Sequence, residues 1–118
     1  MINDIIDELF LMVALTPDET GLPMVIWADP SYGISHDIRL KVRMAHGVRM
    51  DLHNLAVVAL RPAPRVEHGY LSSADLRAVT AWWQLNQTAV LDYWRQAPSL
   101  PTGQFMRRLA KLSPPIPP

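Results

Sequence analysis

Asp37, Ile38, Arg39, Leu40, Lys41, Val42, Arg43 and Met44 alternate charged with apolar residues, and the alternation resumes after Ala45-His46-Gly47 as Val48, Arg49, Met50, Asp51 and Leu52. A period of two is that of a half-buried strand, and two such runs in succession predict a hairpin. The faces select its register. A loop of Ala45, His46 and Gly47 pairs Met44 with Val48, Val42 with Met50 and Leu40 with Leu52 on one side. On the other side it sets Arg43 against Arg49, Lys41 against Asp51 and Arg39 against His53. Gly47 then takes the left-handed position such loops need, and a slip of one residue would invert one strand.

The flanking patterns are of other kinds. Ile2, Ile5, Ile6, Leu9, Phe10 and Val13 recur at helical spacing, with Asp4, Asp7 and Glu8 suited to the positive end of a helix dipole. They predict an N-terminal helix, in competition with a strand through Phe10–Leu15. Thr16 to Pro23 is turn chemistry. Met24–Ala28 and Leu55–Leu60 are short apolar runs that read as strands, the first covered on both faces. Arg61-Pro62-Ala63-Pro64-Arg65 stops the second, because proline cannot donate to a ladder. Ser72-Ser73-Ala74-Asp75 resembles a capping box and opens a helix from about Ser73 to Gln96, ended by Pro98. One arc of it collects Leu76, Val79, Trp82, Trp83, Leu85, Ala89, Val90, Tyr93 and Trp94, with Asn86 in its middle. Gln104–Leu112 predicts a short basic helix that must dock on something to persist, and Ser113–Pro118 a frayed, extended tail.

The expected fold is α+β: a small antiparallel sheet, the long helix across one face and the N-terminal helix beside it. Residues 1–96 form the domain in this reading, and residues 97–118 add the short basic helix and proline-rich tail. A chain of 118 residues can bury a sufficient core, and it must do so without cysteine, of which there is none. That excludes disulfide scaffolds, thiolate metal sites and cysteine nucleophiles. No apolar run approaches the roughly 18 residues that cross a bilayer, so a soluble, cytoplasmic protein with no membrane contact is expected. The formal net charge of +0 argues against a DNA-coating protein. It conceals an acidic N-terminal stretch (Asp4, Asp7, Glu8, Asp18, Glu19, Asp29) and basic later ones, a split that suits packing, self-association or an anionic partner.

Chemistry has three candidate places. Arg39, Lys41, Arg43 and Arg49 share the polar hairpin face, with His53 at its end, and form a candidate anion or RNA site. A solvated antiparallel face explains the same pattern without a ligand. Histidine titrates near neutrality, so His53 beside Arg39, with His36-Asp37 near the same end, could work on a phosphodiester without metal. Otherwise these are ordinary polar edge residues. No spacing suggests a metal site, a phosphate loop or a nucleophile elbow, and no cofactor is expected. Asn86, on an apolar arc, must find hydrogen bonds and is assigned a structural role. The aromatic stripe Trp82, Trp83, Tyr93 and Trp94 reads first as core; Trp82 and Trp83 point about 100° apart, so one of them can reach the edge of the buried face, and Trp82 is the candidate for a protein contact.

The layout of residues 35–96, a strand opening with His36-Asp37, a hairpin, an apolar strand and a helix carrying Trp83-x-x-Asn86 and Trp94, resembles small bacterial domains grouped in families of unknown function. Some of those sit beside a small partner protein in antitoxin-like gene pairs. The resemblance implies a compact α+β fold and carries over no catalytic residue. The expected function is a non-enzymatic interaction module, acting as a homo-oligomer or with a small protein partner. The alternative is an RNA-binding or metal-independent RNase-like, toxin-type protein that uses the basic hairpin face.

Overall fold

A computed structural model describes residues 12–31, 36–96 and 99–117. Five strands, β1 (Val13–Leu15), β2 (Ile26–Ala28), β3 (Arg39–Arg43), β4 (Leu55–Ala59) and β5 (Arg65–His68), form one sheet in the order of the chain. All neighbours are antiparallel. A one-turn helix α1 (Pro17–Thr20) joins β1 to β2, a long helix α2 (Ser73–Gln96) follows the sheet, and α3 (Thr102–Arg107) follows α2. The fold is α+β.

Alternation along the strands builds two unlike faces. Val13 and Leu15, Ile26 and Ala28, Leu40 and Val42, and Ala56 and Val58 stand on one face and are all buried. They share a single core with Val79, Trp82, Trp83, Ala89, Val90 and Tyr93 of α2 and with Phe105 of α3. Trp27, Lys41 and Val57 lie in one cross-strand row on the opposite face, flanked by Arg39 and Arg43.

Val79, Trp82, Trp83, Asn86, Ala89, Val90 and Tyr93, all on the predicted arc of α2, are buried. The Ser72 hydroxyl accepts the Asp75 N–H at 3.1 Å, closing the first turn. The helix departs from helical geometry at Asn86 (φ −121°, ψ 15°), and Leu85, at the rim of the apolar arc, is exposed. Phe105 is fully buried and stacks on Tyr93 with ring centroids 4.4 Å apart. This packing gives the short α3 the docking that so few residues need.

Three expectations require correction. The partner of β3 is Leu55–Ala59, with Leu40 opposite Val58 and Val42 opposite Ala56, and not the run Val48–Leu52. Both candidates alternate suitably toward the core. The stretch Leu55–Ala59 is apolar on both faces and therefore gains more from an interior sheet position. Residues 44–54 become the hairpin loop, closed by the Met44 N–H on the Asn54 carbonyl at 2.8 Å. Gly47 does take a positive φ of 110°, but its N–H binds the Pro23 carbonyl instead of closing a tight turn.

The second correction concerns Val13 alone: the predicted N-terminal helix lies outside the described residues up to residue 11, and Val13, the last residue of its stripe, is in β1 opposite Ala28, in the strand that competed with that helix. The third concerns the tail, which is held and not frayed. Leu112 N–H binds the Thr20 carbonyl and Ile116 N–H binds the Gly21 carbonyl, each at 2.8 Å. Gly21 sits at φ 79°, and a Cβ there would lie 2.8 Å from the Leu112 carbonyl oxygen. Only glycine allows both the left-handed turn and the close approach.

Candidate functional site

Arg39, Lys41 and Arg43 do share a sheet face, as alternation requires. Each of the latter two is drawn into the protein. Lys41 Nζ lies 2.6 Å from Asp29 Oδ2, a carboxylate with no exposed side-chain surface. Arg43 is only 7% exposed. Its Nη1 donates to the carbonyls of Ala45 (3.2 Å) and His46 (3.0 Å), and its Nη2 to Asp51 Oδ2 (3.4 Å). Arg43 therefore braces the loop 44–54 from inside.

Arg49 is exposed, with its Nε 3.1 Å from the same Asp51 carboxylate. His53 is exposed on the loop, and the residue opposite Arg39 is Ala59, so the Arg39–His53 couple is not formed. The cross-strand pairs Arg43–Arg49 and Lys41–Asp51 fall with the register. Trp27 stands beside Lys41 but is 4% exposed, which leaves no ring surface for stacking a base. Trp82 is fully buried in the core, so its indole is not a docking surface. The correction has a simple cause: Trp82 faces the sheet at the centre of the arc, while its helix exposes Leu85.

Asn86 is 3% exposed and fully engaged. Its side-chain N–H groups donate to the carbonyls of Trp82 and Ala110, both at 3.0 Å, and its Oδ1 accepts the Ala110 N–H at 2.7 Å. These bonds tie the kink of α2 to the segment after α3.

Two features were not legible as sites. Asp37 and Arg61 form a forked pair, with Arg61 Nε donating to Asp37 Oδ2 at 3.1 Å and Nη2 donating to Oδ1. The guanidinium also lies 5.4 Å from the Trp94 ring centre, a cation–π contact. The hydrogen bond from Arg61 holds the Asp37 carboxyl below its ordinary range, and the carboxylate raises Arg61 in turn. Both stay charged near neutrality, so neither is suited to general acid–base work. With Leu60, Pro62, Trp83, Gln87 and Leu91 they line an open cleft of about 500 Å³. Nothing in residue spacing announces a pair drawn together by tertiary folding.

The other feature is the displaced run itself. Val48, Met50 and Leu52 are 63%, 53% and 44% exposed. Tyr70, also exposed, borders the loop, with its N–H 3.3 Å from the Met44 sulfur. Val48 shares an apolar groove of about 280 Å³ with Leu22, Pro115 and the exposed Ile116 of the tail. The available signal was Leu55–Ala59, a stronger competitor for the place beside β3.

Among the described residues no group of three or more His, Cys, Asp and Glu side chains is arranged to hold a metal ion, and no helix is long and apolar enough to cross a membrane. The chain matches no protein-family model, no curated protein and no solved structure.

Proposed function

We propose that this chain is a non-enzymatic interaction module that binds another protein chain, a second copy or a small partner, through the loop 44–54. The observation that carries the reading is the exposure of Val48, Met50 and Leu52 on a loop braced by Arg43. A flexible apolar loop would collapse onto its own domain. One anchored by a buried guanidinium can be presented to a partner with less ordering left to do on binding.

The RNA reading draws less support. Lys41 and Arg43 spend their charge on Asp29, Asp51 and backbone carbonyls, and Arg49 already faces Asp51. Phosphate binding would have to break these contacts before counterion release could repay it.

A photo-crosslinking side chain placed at Met50 in the native host tests the proposal. The expected product is an adduct of discrete mass containing a second polypeptide. Adducts to RNA alone, or no adduct, would overturn it.

A further inference from the structure

We infer that the occupant of this loop is a second copy of the chain, paired antiparallel with residues 48–52 about a two-fold axis at Met50. The inference rests on the interaction reading above and names its partner. It starts from the residue order Val48-Arg49-Met50-Asp51-Leu52. Reversed against itself about Met50, this segment sets Val48 opposite Leu52, Arg49 opposite Asp51 and Met50 opposite Met50. Every apolar residue meets an apolar one and every charge its opposite. An isologous contact demands such self-complementarity, because each residue meets its partner twice.

The structure supplies what the pairing needs. Among the described residues no backbone hydrogen bond involves residues 48–53, whereas Gly47 and Asn54 on either side are bonded to Pro23 and Met44. The chain bends at Gly47–Val48 and at Leu52–Asn54, so a second copy that pairs with residues 48–52 must straighten the two ends, after which their unbonded N–H and C=O groups are open to it as at a sheet edge. Arg49 and Asp51 touch each other at 3.1 Å, so their side chains lie on one side, as residues two apart do in an extended chain. Arg43 holds Asp51 in place from below. On pairing, each Arg49 can pass from its own Asp51 to that of the second copy, so no buried charge is stranded. A ladder of five residues is small beside the roughly 1,200 Å² of a standard interface, which makes this a weak, concentration-dependent dimer.

Sedimentation equilibrium of the full chain over a wide concentration range provides the test. The expected weight-average mass climbs from 13.3 kDa toward twice that value. Arg49→Asp alone and Asp51→Arg alone each confront like charges across the axis and stay monomeric. Mixed in equal amounts they form a heterodimer, since one then carries only acids at the two positions and the other only bases. Should Asp51→Arg fail to fold for want of a partner for Arg43, Met50→Cys gives an independent reading in a chain that has no other cysteine. It should oxidise to a disulfide-linked dimer much faster than His53→Cys, which the register keeps away from its own copy. A mass that stays at the monomer value, or equal oxidation of the two cysteine variants, overturns self-pairing. An adduct at Met50 to a different polypeptide would then leave the interaction reading standing without it.

Discussion

The Asn86 side chain and the Ala110 backbone bind each other twice, Oδ1 accepting the Ala110 N–H at 2.7 Å and Nδ2 donating to the Ala110 carbonyl at 3.0 Å. The carboxamide thus copies the pairing of one peptide group with another, and does so where α2 departs from helical geometry. A third bond to the Trp82 carbonyl satisfies an acceptor at the kink. Replacing Asn86 with leucine leaves these backbone groups without their partner in a nearly closed site. Asn86→Leu should cost about 2–4 kcal/mol, read as a lower denaturant midpoint. An unchanged midpoint would sink the structural role.

Lys41 neutralises a carboxylate that water does not reach. Lys41→Met keeps the stem but leaves Asp29 charged inside the protein, and a loss of about 3 kcal/mol is expected. Asp29→Asn combined with Lys41→Met should cost less than the sum of the two single changes, because the second mutation relieves the first. Strict additivity in urea unfolding would show that the two groups do not act as a pair.

Stacking of Tyr93 on Phe105 carries α3 onto the core. Phe105→Ala should destabilise by about 3–4 kcal/mol. Burial pushes the Tyr93 phenol above its ordinary value, against a smaller lowering by a hydrogen bond with Thr102. A raised folded value means that its stabilisation is complete below the unfolded value of about 10 and is lost as pH rises through the folded one. Wild-type stability should therefore fall on the alkaline side, and Tyr93→Phe should flatten that fall. The same alkaline slope in both proteins would count against Tyr93 as its source.

Asp37 behaves with the opposite sign. Its carboxyl is held low by Arg61, so its contribution is present above about 3.9 and is lost as pH falls through the lower folded value. Both side chains are well exposed, which confines the effect to less than about 1 kcal/mol. Arg61→Lys keeps the charge but not the forked geometry. Carboxyl titration by NMR should then find Asp37 moved up toward its ordinary value, and an unmoved titration would contradict the pairing.

Gly21 is the point where the tail is fastened. Gly21→Ala meets the Leu112 carbonyl and a left-handed backbone at once, and should cost more than about 1 kcal/mol. Hydrogen exchange at Leu112 and Ile116, whose N–H groups bind Thr20 and Gly21, should accelerate more than exchange in β3. Uniform acceleration would mean that the tail has no separate anchorage.

Much of the fold was legible along the chain. A period of 3.6 placed Ser73–Gln96, the alternation over Asp37–Met44 contains the strand Arg39–Arg43, and the apolar runs Met24–Ala28 and Leu55–Leu60 contain the strands Ile26–Ala28 and Leu55–Ala59. These are local properties, since the face a residue presents follows from its neighbours a few positions away. The need of Asn86 for hydrogen bonds was local too, whereas the identity of its partner, Ala110, was not.

Pairing was decided only by the tertiary structure. Two segments could match the core face of β3, and the choice fell to Leu55–Ala59 because it buries apolar surface on both faces, a comparison no single window of sequence contains. That choice moved Val48, Met50 and Leu52 from a sheet to the surface and turned Arg43 to the loop carbonyls, while the pairing of β2 with β3 brought Lys41 to Asp29. The alternation that began as a strand and a basic face thus became an inward brace and an outward apolar edge. Charge and hydrophobicity were written in the residues; which of them met water, and which met each other, was a property of the packed whole.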